Sequence, residues 1–213
     1  LFVDEYQDVN SLQIELIDLL NVKNLFCVGD PRQSIFGWRG SDINYILKFK
    51  EKYPHAKIIS LTKNYRSNKS IVNLINQSIK HLNLPDLESN IDNEEAIELS
   101  NFETEEEELY FIVKKIQAIE EKGEVFVIAR TNRQLKDLSS LLNLNGIKHI
   151  IRNDELKTTV IKEKDDVTLS TVHAIKGLEA KTVFVIGCTP NNFPCKVSDH
   201  PVIEIMKLEQ YNK

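Results

Sequence analysis

Short apolar runs, each too brief to be a helix, alternate along this chain with segments whose apolar residues recur at helical spacing. Leu1-Phe2-Val3, Leu25-Phe26-Cys27-Val28 and Lys57–Leu61 read as buried strands. Between the first two, Leu12, Leu16, Leu19 and Leu20 form a helical stripe that starts at Ser11. Asp42 is placed to cap a second helix that runs to Tyr53 and stops at Pro54. A β-α-β-α-β order of this kind calls for a parallel sheet with helices packed on it. In such α/β folds, ligands bind beyond the carboxyl ends of the strands.

The alternation starts again further on. Asn64-Tyr65-Arg66-Ser67 leads, with Ser67 as a candidate cap, into a helix with Ile71, Leu74, Ile75 and Ile79. The polar, acidic residues 83–95 read as a surface loop. Thr104 with Glu107 forms a candidate capping box for a helix presenting Leu109, Ile112, Val113 and Ile116. Glu124–Ala129 reads as a strand, and a helix with Leu135, Leu138, Leu141 and Leu142 ends at Asn145-Gly146. Ile147–Ile151, Val167–Thr171 and Thr182–Ile186 complete the strands, the last two separated by a polar turn at His173–Ala180. Two α/β units follow, with a boundary near Leu61–Asn64 and expected extents of 1–62 and 63–213.

Composition narrows the class. No apolar run approaches the roughly 18–20 residues that span a bilayer, so no membrane association is expected. Cys27, Cys188 and Cys195 show no C-x-x-C spacing, which gives neither a zinc site nor a disulfide framework and suits a reduced, cytoplasmic setting. The net charge of −5 is unevenly spread. Residues 85–124 carry fourteen acidic residues against three lysines, so the remainder of the chain is net positive and a phosphate-tracking groove is not excluded.

Chemistry concentrates at the strand ends. Asp4-Glu5 follows the first apolar run, where an Asp can hold Mg²⁺ and a neighbouring Glu can orient or deprotonate water. The bland alternative is a pair of solvated carboxylates in a turn. Gly29 to Ser41, G-D-P-R-Q-S-I-F-G-W-R-G-S, follows the second run and mixes three chemistries. Gln33 and Arg39 supply donors for phosphate oxygens, Phe36 and Trp38 supply faces on which bases stack, and Gly29, Gly37 and Gly40 permit tight turns. A lone Trp is usually a core residue, but flanking Gly37, Arg39 and Gly40 argue against burial. Arg66 is placed at another strand end. His173 and Lys176 sit in T-V-H-A-I-K-G-L-E, where a hydrogen-bonded turn histidine is the simpler alternative.

Taken in order, these segments resemble the superfamily 1 DNA helicases of the UvrD/Rep type, over nearly the whole chain. L-F-V-D-E-Y-Q-D resembles the Walker B motif, V-G-D-P-R-Q-S-I-F-G-W-R-G the third motif and L-T-K-N-Y-R-S the fourth. V-I-A-R-T-N with the Leu-rich helix and N-G-I is similar to motif IVa. V-T-L-S-T-V-H-A-I-K-G-L-E-A-K-T-V-F-V-I-G is similar to the fifth motif, and N-N-F-P to the family's G-L-F-P turn. The resemblance implies two RecA-like parallel-sheet units of the P-loop NTPase type, the first incomplete. By position, Asp4 would bind Mg²⁺ and Glu5 would activate water, while Gln33 and Arg66 would contact the γ-phosphate of ATP. Tyr65 would stack on adenine and Glu179 would hydrogen-bond the ribose, with Lys176 and Gly177 also on the nucleotide side. Phe36, Trp38, Arg39, Arg130, Thr171 and His173 would line the track of single-stranded DNA.

Departures from the family pattern shape the expectation. No G-x-x-x-x-G-K-[ST] phosphate loop is present, nor the Arg-bearing sixth motif, and Phe36 stands where many relatives have Tyr. Only about fifteen residues separate Ile151 from Val167, where many relatives insert a subdomain. The chain begins with Leu1 and is expected to be a piece of something longer. The expected activity is that of an ATP-dependent helicase or translocase moving 3′ to 5′ and acting at single-strand/duplex junctions. The isolated chain is expected to hydrolyse little ATP. The alternatives are a DNA- or partner-binding relative without hydrolysis, and the motor part of a helicase–nuclease.

Overall fold

The computed structural model describes residues 1–93, 95, 97–152 and 163–193. Cys195, Pro194 of the N-N-F-P turn and most of the stretch between Ile151 and Val167 lie outside them. The chain divides into two compact units, Leu1–Glu98 and Leu99–Lys213, and both are mixed α/β with parallel strands.

The first unit opens with β1 (Phe2–Val3), α1 (Ser11–Leu19) and β2 (Phe26–Cys27). The strands pair in parallel, Phe2 opposite Phe26 and Val3 opposite Cys27. Asn10 and Gln13 close a reciprocal capping box that starts α1. Tyr6, Val9, Ile14 and Ile17 form the core here, with Tyr45, Ile46 and Phe49 packed against it. The expected leucine stripe of α1 does not face that core. Leu12, Leu16, Leu19 and Leu20 are exposed, and the helix instead turns Ile14 and Ile17 inward. Apolar residues occupy two faces of α1, and spacing alone cannot choose between them.

Four further expectations in this unit are corrected. The helix from Asp42 to Tyr53 is broken at Lys48 into α2 (Asn44–Leu47) and α3 (Phe49–Lys52). Lys57–Leu61 forms no strand; Ile58, Ile59 and Leu61 are exposed, and the run finds no ladder partner among the described residues. The strand comes later, as β3 (Lys63–Asn68), followed by α4 (Lys69–Ser78), which Asn68 rather than Ser67 caps by accepting the Ile71 N–H at 3.0 Å. Its parallel partner β4 (Glu88–Ile91) lies inside the segment expected to be a loop. Polar side chains support that strand: Ser89 Oγ donates to Ser67 O at 2.8 Å and accepts the Ile91 N–H at 3.1 Å.

The second unit follows its sequence pattern closely. α5 (Glu105–Ala118) and α6 (Asn132–Leu144) flank β5 (Val125–Ala129), β6 (His149–Arg152), β7 (Val167–Thr171) and β8 (Thr182–Val185). The sheet is parallel throughout in the order β6-β7-β5-β8. Val125, Val127, Ala129, Val167 and Leu169 are fully buried, as central strands covered on both faces require. Ile112, Val113 and Ile116 of α5 and Leu135, Leu138 and Leu142 of α6 complete the core. Glu105–Glu108 form the first turn of α5, where the helix dipole favours negative charge. Four of the fourteen acidic residues of the 85–124 run are thereby accounted for.

Leu138 is completely buried in this cluster and Leu144, at the end of the same helix, is exposed. Leu138→Ala is expected to cost about 2–5 kcal/mol in chemical denaturation, through lost burial and the cavity left behind. Leu144→Ala is expected to stay within about 0.5 kcal/mol of the parent.

Candidate functional site

In the first unit the site is built where β1 and β2 end. Val28 N donates to Val3 O and Tyr6 N to Val28 O, each at 2.9 Å, so the two strand ends stay locked together past the ladder. Glu5 has φ 51 and ψ 42, the left-handed region that a residue with a Cβ rarely adopts. Its own N–H donates to Asp4 Oδ1 at 2.8 Å. A strained backbone of this kind costs about 1–3 kcal/mol and persists only where its surroundings hold it.

What holds it includes Gln7, whose side chain is buried to 1% exposure. Gln7 Nε2 donates to Glu5 Oε2 at 2.5 Å and Gln7 Oε1 accepts the Asp30 N–H at 3.0 Å. Ser34 Oγ adds a bond to Gln7 O at 3.1 Å. Gly29 makes room for this: a Cβ there would stand 2.6 Å from Gln7 Oε1, 2.9 Å from Ile46 Cδ1 and 3.0 Å from Tyr6 N. Asp30 then caps a single 3-10 turn, Pro31–Gln33, by accepting the Arg32 N–H at 3.0 Å. Gln33 Nε2 donates to Asp30 Oδ2 at 3.2 Å. Arg32 pairs with Asp30 Oδ1 at 3.4 Å and also donates to Pro85 O.

The aromatic part of the loop is a second 3-10 turn, Gly37–Arg39. Trp38 is 57% exposed, which removes the core-aromatic alternative. The Arg39 guanidinium carbon lies 4.6 Å from the Trp38 ring centroid and 4.9 Å from that of Phe36, within cation–π range of both. Gly40 follows at φ 80, a conformation that glycine adopts freely. Of the three glycines expected to permit tight turns, Gly29 has the close approach and Gly40 the positive φ, while Gly37 has neither a positive φ nor a neighbour its Cβ would meet. Tyr65 and Arg66 are exposed and lie within β3, not at a strand end. Asn64 Oδ1 fixes their backbone by accepting the N–H of Arg66 at 2.9 Å and of Ser67 at 2.8 Å.

In the second unit, Arg130 follows β5 and Thr171 ends β7, and these strands pair with Ala129 opposite Thr171. Register therefore brings Arg130, Thr171 and His173 to one sheet end. Arg130 Nη1 lies 3.2 Å from His173 Nδ1, with the guanidinium as donor and the ring nitrogen as acceptor. Thr171 Oγ1 accepts the Ala174 N–H at 3.3 Å and starts the turn that carries Lys176, Gly177 (φ 86) and Glu179. Lys176 is half-buried and Glu179 exposed.

Residues 1–54 match the UvrD/REP helicase N-terminal domain, and residues 59–156 and 148–210 match the UvrD-like helicase C-terminal domain. The chain belongs to the UvrD/Rep helicase family. It is 40% identical over 156 residues to the ATP-dependent DNA helicase PcrA of Staphylococcus epidermidis, covering 69% of this chain and 21% of that protein. To the protein of the same name from Staphylococcus aureus it is 41% identical over 145 residues, 64% of this chain and 20% of the relative. The chain thus spans about a fifth of the length of the relatives it matches.

For a UvrD/Rep helicase segment, the structure adds residues that sequence reasoning passed over. Gln7 in D-E-Y-Q-D, and Asp30 and Arg32 in the loop after Val28, carry no assigned role in the sequence reading. A polar side chain set between two apolar runs is the only available signal, and it does not reveal burial. The paired glycines test the packing directly. Gly29→Ala is expected to lose about 1–3 kcal/mol, because backbone and a bonded amide must shift to admit the methyl group. Gly37→Ala, with open space at its Cβ, is expected to melt within a degree or two of the parent in a thermal scan.

Proposed function

We propose that this chain is part of an ATP-dependent motor that moves 3′ to 5′ on single-stranded DNA and unwinds duplex at single-strand/duplex junctions, in the cytoplasm. The observation that carries the reading is one loop with two ends. Gln33 is tied through Asp30 and Gln7 to Glu5, and Trp38, five residues further on, presents an exposed ring backed by a guanidinium. Family membership supplies the frame. The proposed domain division is 1–62 and 63–213.

In the proposed reaction, water attacks the γ-phosphorus, the bond to the β–γ bridging oxygen breaks, and Glu5 takes the proton from the water. Gln33 and Arg66 donate to the γ-phosphate oxygens, on which charge is redistributed in the transition state. Tyr65 offers its exposed ring to adenine, Glu179 a carboxylate to the ribose hydroxyls, and Lys176 and Gly177 line the nucleotide side. Asp4 suits Mg²⁺, because a hard carboxylate beside substrate phosphates is the donor set that ion takes; bound there, it would neutralise phosphate charge. On the DNA side, Trp38 stacks on bases while Phe36 and Arg39 set its orientation. Arg130, Thr171 and His173 offer donors to the backbone. Stacking of this kind ignores sequence, as translocation requires. The 213-residue chain alone is expected to hydrolyse ATP slowly, since no Gly-rich loop with its Lys lies within it to grip the β- and γ-phosphates.

Trp38→Ala in the full-length protein tests the reading. Loss of a stacking contact worth about 1–3 kcal/mol should weaken single-stranded DNA binding roughly 5- to 150-fold, and uncouple hydrolysis from unwinding. Fluorescence anisotropy with a labelled oligonucleotide and a strand-separation assay report both. Unchanged affinity and unwinding would sink the stacking role.

A further inference from the structure

We infer that Gln7 is a positioning residue of the hydrolytic step, holding the Glu5 carboxylate and the loop that carries Gln33 as one body. The inference rests on the proposed role of Glu5 and goes beyond it, since Gln7 itself touches neither phosphate nor water. A primary amide is planar, with an acceptor on one arm and two donors on the other, so fixing one arm fixes the other. Here the acceptor arm takes the Asp30 N–H at 3.0 Å and the donor arm reaches Glu5 Oε2 at 2.5 Å. The group is 1% exposed, so bulk water does not compete for either bond.

Both neighbours are arranged around this amide. Glu5 carries its carboxylate on a left-handed backbone, which must be held from outside. Gly29 lacks the Cβ that would stand 2.6 Å from Gln7 Oε1, and so lets that oxygen reach the next residue's N–H. From Asp30 the line continues to Gln33 Nε2 at 3.2 Å. Glu5, Gln7, Asp30 and Gln33 therefore form one unbroken hydrogen-bonded series within a single unit. A pull on Gln33 by the γ-phosphate is delivered to the carboxylate through Gln7. Glutamate at position 7 would keep the acceptor for Asp30 and lose the donor to Glu5. Leucine would lose both.

The test is steady-state, DNA-stimulated ATP hydrolysis by the full-length protein carrying Gln7→Glu, Gln7→Leu, Glu5→Gln, or Gln7→Leu with Glu5→Gln. Both Gln7 variants are expected to lower kcat about tenfold or more, with KM for ATP within about twofold, the signature of an interaction used in the transition state. Single-stranded DNA affinity should be unchanged. The double variant should be no more than about twofold slower than Glu5→Gln alone, because groups that act as a unit are non-additive. A kcat that stays at the parent value, a loss confined to KM, or a multiplicative loss in the double variant overturns the inference. If Gln7→Leu fails to fold by near-ultraviolet circular dichroism, Gln7→Glu, equal in volume, decides; its unfolding would assign Gln7 a purely structural role and equally overturn the proposal. A parent protein without DNA-stimulated hydrolysis, or one indifferent to Glu5→Gln, overturns the proposed function and this inference together. Dependence on Glu5 without dependence on Gln7 overturns the inference alone.

Discussion

The buried side chain of Gln7 is the contact on which the first unit's candidate chemistry depends. β1 and β2 pair over only two residues each, too short a ladder to fix the loops that leave their ends. Fixing is done past the strands, by the Tyr6–Val28 and Val28–Val3 backbone bonds and by the Gln7 amide bonding to Asp30 and Glu5. An amide sealed from water is well suited to this. Both of its bonds are made in a low dielectric, and losing either would leave a buried polar group unpaired, at a cost of about 1–3 kcal/mol. Left-handed Glu5, the close approach at Gly29 and the 3-10 turn capped by Asp30 all follow from that arrangement.

The second unit reaches a comparable result by other means. Its four-stranded sheet has buried central strands, β5 and β7, and the residues of interest are placed by strand register. Ala129 opposite Thr171 sets Arg130 near His173, and the hydrogen bond between them orients a guanidinium that would otherwise sample many rotamers. The turn that follows is started by Thr171 Oγ1. One unit thus relies on a buried polar hub and the other on a hydrophobic sheet, in line with the smaller apolar cluster of the first unit and the larger one of the second.

Much of the second unit was legible in the sequence because its signals agree. The α5 and α6 apolar faces, the Thr104 cap and the Asn145-Gly146 stop all point the same way. The first unit was read less well for particular reasons. α1 has apolar residues on two faces, so its leucine stripe was assigned inward although Ile14 and Ile17 are the buried pair. β3 and β4 are polar strands, K-N-Y-R-S-N and E-S-N-I, that lack the alternation by which strands are recognised; Asn64 and Ser89 side chains hold their backbones. The motif residues were located from their order along the chain. Their linkage was hidden, because no local pattern announces that one glutamine will be buried between two strand ends.

Gln7 joins the Glu5 turn to the Gln33 loop, and the Asp30 N–H bonded to Gln7 Oε1 reports on that junction. Native-state hydrogen exchange at that single amide is the measurement. The expected result is protection close to that of the most slowly exchanging amides of the first unit, lost on replacing Gln7 with leucine. Exchange at the rate of an open surface loop in the unaltered protein would contradict the account.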